Sequence, residues 1–231
     1  MSYKSTQTVS ANNTPMNASL EKLKMVPLGA TVWTSSGRLA DHKITAIAHA
    51  ASGAMEQSGV GFDPTRASVA ACLENSFLLA AQHGYKSLAI PFIASNIFLG
   101  RIIPAIDKDE LADLIFKSCQ AYHGSVDAVI VAYGAGDLSH FEKAMKGNTD
   151  KGVILVNGSI THYDDHKCAA IVNAANMEVI FGGGLSGIIG SATGEINKIN
   201  EEAAARILNF WKHNNSQGSD AEIADEFNLQ G

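Results

Sequence analysis

Two asparagines and a run of three glycines offer the most specific chemistry in this chain. The segment Ala170-Ile-Val-Asn-Ala-Ala-Asn176 is followed by Met177-Glu-Val-Ile-Phe181 and then by Gly182-Gly-Gly-Leu-Ser-Gly-Ile-Ile-Gly190. An apolar strand thus ends in Asn173 and Asn176, and Gly182, Gly183 and Gly184 lead into a helix start built of small residues. Glycine lets a ligand approach the backbone closely, and the open N–H groups of a helix N-terminus favour anions. A neutral carboxamide both donates and accepts, which suits the hydroxyls of a ribose. The combination points to a nucleotide-diphosphate site. The competing reading at this stage is a glycine-rich turn at a strand–helix junction.

Other phosphate and catalytic signatures are missing. There is no GxxxxGK[ST] and no GxGxxG, and the glycine run lies late in the chain, whereas a dinucleotide fingerprint opens its domain. No His/Asp/Ser set has persuasive spacing. His162 and His166 stand four apart with Asp164 and Asp165 between them, but the stretch reads as a surface loop, so no metal site is expected. His49 sits in an apolar strand and reads as a hydrogen-bonded core histidine, while Trp33 and Trp211 read as packing residues. No cofactor is called for.

The elements that must hold these residues alternate. Strands are expected at 30–33, 44–50, 87–93, 128–132, 153–156 and 169–172, with a further candidate at 178–180. Asp63-Pro64 predicts a helix start with Asp63 as N-cap, and its apolar stripe stops at Gly84. Asp107 and Asp137 open two more helices that stop at Gly124 and Gly147. A last helix is expected over 195–212, with Ile196, Ile199, Ala203, Ile207 and Phe210 on one face. Alternating strands and helices predict an α/β layered fold around a mixed or largely parallel sheet. Residues 1–19 form a polar tail expected to be disordered, 20–212 a single domain, and 213–231 a second tail.

The chain has 231 residues, with 17 Lys plus Arg against 23 Asp plus Glu, a net charge of −6. That balance argues against general nucleic-acid binding, which needs a basic face to meet phosphates. Cys72, Cys119 and Cys168 form no CxxC pair and no disulfide scaffold, so a reducing compartment is the simplest expectation. No run of about 18 apolar residues predicts a membrane span, and no signal peptide is visible. The expected setting is cytoplasmic, without a membrane partner.

Four motifs taken together resemble one family. Asn-Ala-Ala-Asn before a Gly-Gly-Gly loop resembles the signature of macro domains, the ADP-ribose-binding fold. Val156-Asn-Gly-Ser-Ile-Thr161 resembles that family's GDIT strand end, and Ile44-Thr-Ala-Ile-Ala-His-Ala50 its VIHAVGP strand. Leu88-Ala-Ile-Pro-Phe-Ile-Ala-Ser-Asn-Ile-Phe-Leu-Gly100 resembles the strand and second phosphate loop, written PxIStGIFG in the family. The motifs span about residues 28–212, but the half that comes second in the family comes first here. The resemblance therefore implies a circularly permuted macro domain: a three-layer α/β sandwich with a central mixed sheet flanked by helices. Permutation of this kind is tolerated where termini lie close and the new break falls in an exposed loop.

Carried over residue by residue, the resemblance assigns Asn176 to the distal ribose and Asn173 to bracing the loop. Gly182, Gly183, Gly184, Leu185 and Ser186 become the first phosphate loop and helix start. Ser95, Asn96, Ile97 and Phe98 become the second, with Phe98 packed against the distal ribose. Tyr133, just past a strand, is a candidate for stacking on adenine, or else an aromatic capping the sheet. Ser159 and Ile160 stand at the adenine end, where the family commonly has Asp in place of Ser159. A serine hydroxyl can accept the adenine amino hydrogen bond without charge; Asp164 and Asp165 are alternative acceptors. Asn96 replaces a loop glycine and is expected to tolerate positive φ, and Leu99 replaces a second glycine.

Catalysis is left open by the same comparison. In hydrolytic members of one subgroup an aspartate assists water attack at the position that is Ser186 here, and serine is no general base on its own. Other members hydrolyse ADP-ribose esters without that carboxylate, so Asn176 is the one catalytic candidate. The resemblance implies binding of ADP-ribose or of a mono-ADP-ribosylated protein, with hydrolysis of ADP-ribosyl linkages or related esters as an added activity. The alternative is a non-catalytic reader, and a purine-rich single-stranded nucleic-acid binder ranks below both.

Overall fold

A computed structural model describes residues 25–55, 57–148 and 150–215. The expected tails at 1–19 and, from residue 216 onward, at the other end lie outside them. Six strands form one sheet: β1 (Thr31–Ser35), β2 (Ala46–Ala51), β3 (Ser87–Pro91), β4 (Asp127–Ala132), β5 (Val153–Asn157) and β6 (Ala170–Ala175). Their order across the sheet is β1-β2-β6-β3-β4-β5. Only β1 and β2 pair antiparallel; every other pair is parallel. The helices are α1 (Arg66–Gln82), α2 (Lys108–Tyr122), α3 (Gly134–Ala144), the short α4 (Tyr163–His166), α5 (Gly184–Thr193) and α6 (Ile196–Asn215).

Alternation along the strands divides the core into layers, because successive side chains point to opposite faces. Leu88, Ile90, Ala128, Ile130 and Val172 pack with α1, α2 and α3 through Leu73, Phe77, Ile115 and Phe141. Their neighbours Ile47, Ala89, Val129, Val131 and Ile171 face the other way, toward Leu39, Ile160 and Ile189 of α5. Helix α6 closes that side near β1, burying Ala203 and Ile207 against Val26, Val32 and Ala51. The result is the α/β sandwich with a mixed six-stranded sheet that the alternating pattern predicts. Among the described residues no helix is long and apolar enough to cross a membrane.

Several boundaries differ from the sequence expectation for local reasons. Helix α1 is capped by Thr65, not Asp63: the Thr65 side chain accepts from Ser68 N–H and the Ser68 hydroxyl accepts from Thr65 N–H, a reciprocal box. Asp63 is engaged instead by Arg101, 2.6 Å away, and by Gly59 N–H. Asp107 does cap α2, paired with Glu110. Asp137 does not open α3; that helix starts at Gly134 with Tyr133 as N-cap, leaving Asp137 in its first turn. The 162–166 stretch is a one-turn helix rather than a loop, and α6 stays helical to Asn215, beyond the expected break at 213.

The candidate strand at 178–180 is absent. Val179 takes φ +55, a conformation no strand contains. The Asn176 side chain captures the backbone of Ile180 on both sides, so the chain turns here.

Candidate functional site

The sheet opens where β6 meets β3. Strand β6 keeps six register pairs with β2, from Ala46↔Ala170 to Ala51↔Ala175, but only two with β3, Leu88↔Ala170 and Ala89↔Ile171. Beyond these the C-terminal ends part, and the loops that follow both strands line a cavity of about 370 Å³. A crevice beyond the carboxyl ends of diverging parallel strands is where ligands bind in such sheets, and the volume lies in the small-molecule range of roughly 300–1,000 Å³.

One wall is the glycine segment. Gly183 is the N-cap of α5, and no side chain caps that helix. The N–H groups of Gly184, Leu185 and Ser186 precede the first intrahelical bond, from Gly187 N–H to Gly183 O, and meet no acceptor among the described residues. Three open donors at a helix N-terminus suit an anion. Gly184 needs its glycine at φ +59, whereas Gly183 is extended at φ −86. A Cβ on either would meet nothing within 4 Å, so both present bare backbone to open space.

The opposite wall is the loop after β3. Ser95, Asn96, Ile97 and Phe98 line the cavity, and their N–H groups likewise find no acceptor among the described residues. Positive φ falls on Ala94, at +58, and not on Asn96 as expected. Leu99, in the second former-glycine place, opens a turn of 3-10 helix, Leu99–Arg101. The Phe98 ring packs against Gly53, where a Cβ would come within 2.4 Å of it. Arg101 ties this loop to the 52–63 segment: its guanidinium bonds Asp63, Ala54 O and Gln57 O. Gly59 N–H and the Arg101 guanidinium hold the Asp63 carboxyl below the usual range.

The third side comes from β4 and β5. Tyr133 is 77% exposed and lines the cavity, as do Ser159 and Ile160. Ser159 N–H donates to Asp165 Oδ2 at 2.7 Å, and the Ser159 hydroxyl lies 3.0 Å from that of Thr161. Asp165 therefore braces this loop, and Asp164 pairs with Lys167 at the surface. His166 is buried with its Nε2–H donating to Ile160 O and its Nδ1 accepting from Cys168 N–H. Among the described residues no three His, Cys, Asp or Glu converge as metal ligands.

Asn176 lines the cavity while its carboxamide holds Ile180. Asn173 does not reach the cavity. It lies fully buried behind Ser186, its Nδ2 donating to Ser186 Oγ at 3.3 Å and to His49 Nδ1 at 3.1 Å. Burial lowers the His49 pKa to about 3, so the imidazole is neutral. Its Nε2–H then donates to Thr34 Oγ1, 2.8 Å away.

Three further lining residues were assigned no role from the sequence, Met55 and Asp137 outside any motif and Ile188 within the glycine-rich segment. Met55 reaches from the 52–63 segment to within contact of the Gly182 position. Ile188 is exposed on α5. Asp137, one helical turn after Tyr133, is the only carboxylate on the lining among the described residues and sits 3.6 Å from Lys108 Nζ; the turn's spacing from Tyr133 is the one signal that marked it.

The Macro domain family model matches residues 9–105. That range takes in β1, β2, α1, β3 and the second loop, and ends before the glycine segment. No curated protein matches the chain. Over residues 9–105 the chain is thus similar to the Macro domain family, and its six-stranded α/β sandwich is consistent with that fold.

Proposed function

We propose that the cleft binds ADP-ribose, either free or attached to a protein. The observation that carries this reading is the facing pair of backbone cradles, at 184–186 and 95–98, across one cavity with an exposed tyrosine at its end. A diphosphate fits between two sets of open N–H donors. Tyr133 then offers a face for the adenine, and Phe98 an apolar floor for the distal ribose. Asn176 lines the wall beside that ribose. The motifs are circularly permuted along the chain, and the parallel neighbours β2, β6 and β3 support this by aiming both loops at one cleft despite their reversed order.

Reading without turnover is the form of this function that the residues favour. Ser186 stands where a carboxylate would assist water, and Asp137 is paired with Lys108. The imidazole of His49 is neutral, buried and bonded at both nitrogens. None of these is placed to take a proton from water. Calorimetric titration with ADP-ribose tests the binding: saturable heat with one site supports it, and no heat at millimolar ligand with folded protein overturns it. Incubation with a labelled mono-ADP-ribosylated protein tests the reader form; bound label without release supports it, and catalytic release overturns it.

A further inference from the structure

We infer that Ser186 is a ligand donor whose proton is aimed into the cleft by a buried chain running through Asn173, His49 and Thr34. The inference rests on the ADP-ribose reading of the cleft and adds three positioning residues to it. Thr34, His49, Asn173 and Ser186 are all buried, at 1%, 1%, 0% and 7% exposure. Strand register sets the middle of the chain, since His49 and Asn173 are direct partners across β2 and β6.

The proton directions follow from the orientation of the Asn173 amide, whose Nδ2 faces both His49 and Ser186 and whose buried Oδ1 has no partner among the described residues. An amide nitrogen only donates, so His49 Nδ1 accepts from Asn173 and its proton must sit on Nε2. That proton goes to Thr34 Oγ1, and the Thr34 hydroxyl gives its own to Ser35 O at 2.9 Å. The second Asn173 N–H occupies a lone pair of Ser186 Oγ. Ser186 therefore keeps its proton, and nothing among the described residues accepts it. Its hydroxyl lines the cleft on the first turn of α5, where side chains lean toward the helix N-terminus. The proton thus joins the three open N–H groups as a fourth donor to a ligand oxygen. Were Nδ1 to carry the proton instead, Asn173 would have to turn its oxygen toward both neighbours, and Ser186 would donate inward.

The test is a double-mutant cycle read by ADP-ribose affinity. Ser186→Ala should weaken binding about tenfold, the loss of one good hydrogen bond. His49→Leu should weaken it by a similar factor in the parent chain and by less than about twofold on the Ser186→Ala background, because it acts through the serine. His49→Asn keeps an acceptor near the Nδ1 position and should restore most of the affinity. If His49→Leu does not fold, Thr34→Val interrupts the same chain and should show the same non-additivity. Parent-like binding by Ser186→Ala, or a His49→Leu effect that persists without the serine, overturns the inference while leaving the cleft assignment standing. Absence of ADP-ribose binding by the parent chain removes both.

Discussion

Both polar atoms of the Asn176 carboxamide are held by the backbone of Ile180. Nδ2 donates to Ile180 O at 3.1 Å, and Oδ1 accepts from Ile180 N–H at 3.3 Å. Asn176 is 5% exposed while Ile180 is 43% exposed, so these bonds are only partly shielded from water. Asn176→Ala removes both and returns the Ile180 N–H and C=O to solvent, a loss of about 0.5–1.5 kcal/mol per bond. The variant should therefore unfold at lower urea than the parent as well as bind ADP-ribose less tightly. Unchanged stability in chemical denaturation would show that the 176–180 turn holds without its asparagine.

Gly183 and Gly184 should answer differently to the same substitution. Gly183→Val places a side chain in open cleft space on an extended backbone that valine favours. Its melting temperature should match the parent while ADP-ribose affinity falls at least about tenfold, or about 1.4 kcal/mol. Gly184→Val forces a β-branched residue into φ +59, at a cost on the order of 1–3 kcal/mol. That variant should lose both stability and binding, and thermal melts alongside calorimetry separate the two cases.

Tyr133 supports the fold little, being 77% exposed at the start of α3. Tyr133→Ala should change stability by less than about 0.5 kcal/mol. If its ring stacks on adenine, binding of ADP-ribose should drop by about 1–3 kcal/mol, and Tyr133→Phe should keep it. Equal affinities for ribose-5-phosphate in parent and variant, measured by competition, would assign the loss to the base.

Acid should destabilise the chain through His49. Burial lowers its pKa to about 3 from 6.5. Between those values the unfolded chain holds the proton and the folded chain does not, so stability is present above about pH 6.5 and is lost as pH falls. The slope for one such group approaches about 1.4 kcal/mol per pH unit. His166, also lowered by burial, acts with the same sign. Urea midpoints should decline from about pH 6.5 toward pH 4, and His49→Asn should make the decline shallower. Parallel curves for the two proteins would place the acid sensitivity elsewhere.

The site was legible where its chemistry is short-range. Asn173, Asn176 and the three glycines lie within one stretch, and the residue types alone mark a strand end followed by a bare helix start. What side chains do across the chain was less visible. Asn176 and Asn173 each gained a partner that spacing cannot show: the Ile180 backbone, through a turn at Val179, and His49, through strand register. Glu178-Val-Ile180 has strand-forming residues, but that turn outweighs their propensity. Thr65 displaced Asp63 as a cap because Arg101, far along the chain, claims the carboxylate. Met55 and Asp137 enter the cleft only through packing, and neither stands in a motif.

Strand β6 lies inside the sheet yet is the last strand among the described residues. Until Ala170–Ala175 leaves the ribosome, β2 and β3 have no common neighbour, and the nascent chain holds a hairpin, β1–β2, and a separate ribbon, β3–β4–β5. At about 5–20 residues per second, the edges of β2 and β3 wait several seconds for their partner. Exposed edges of this kind are where unfinished chains pair wrongly, so this protein has a defined interval in which a chaperone matters most. The cleft itself cannot exist before that interval closes, because its two walls hang from β3 and β6. Ligand capture by a nascent chain is therefore a readout of the emergence of Ala170–Ala175 and the helix start that follows it.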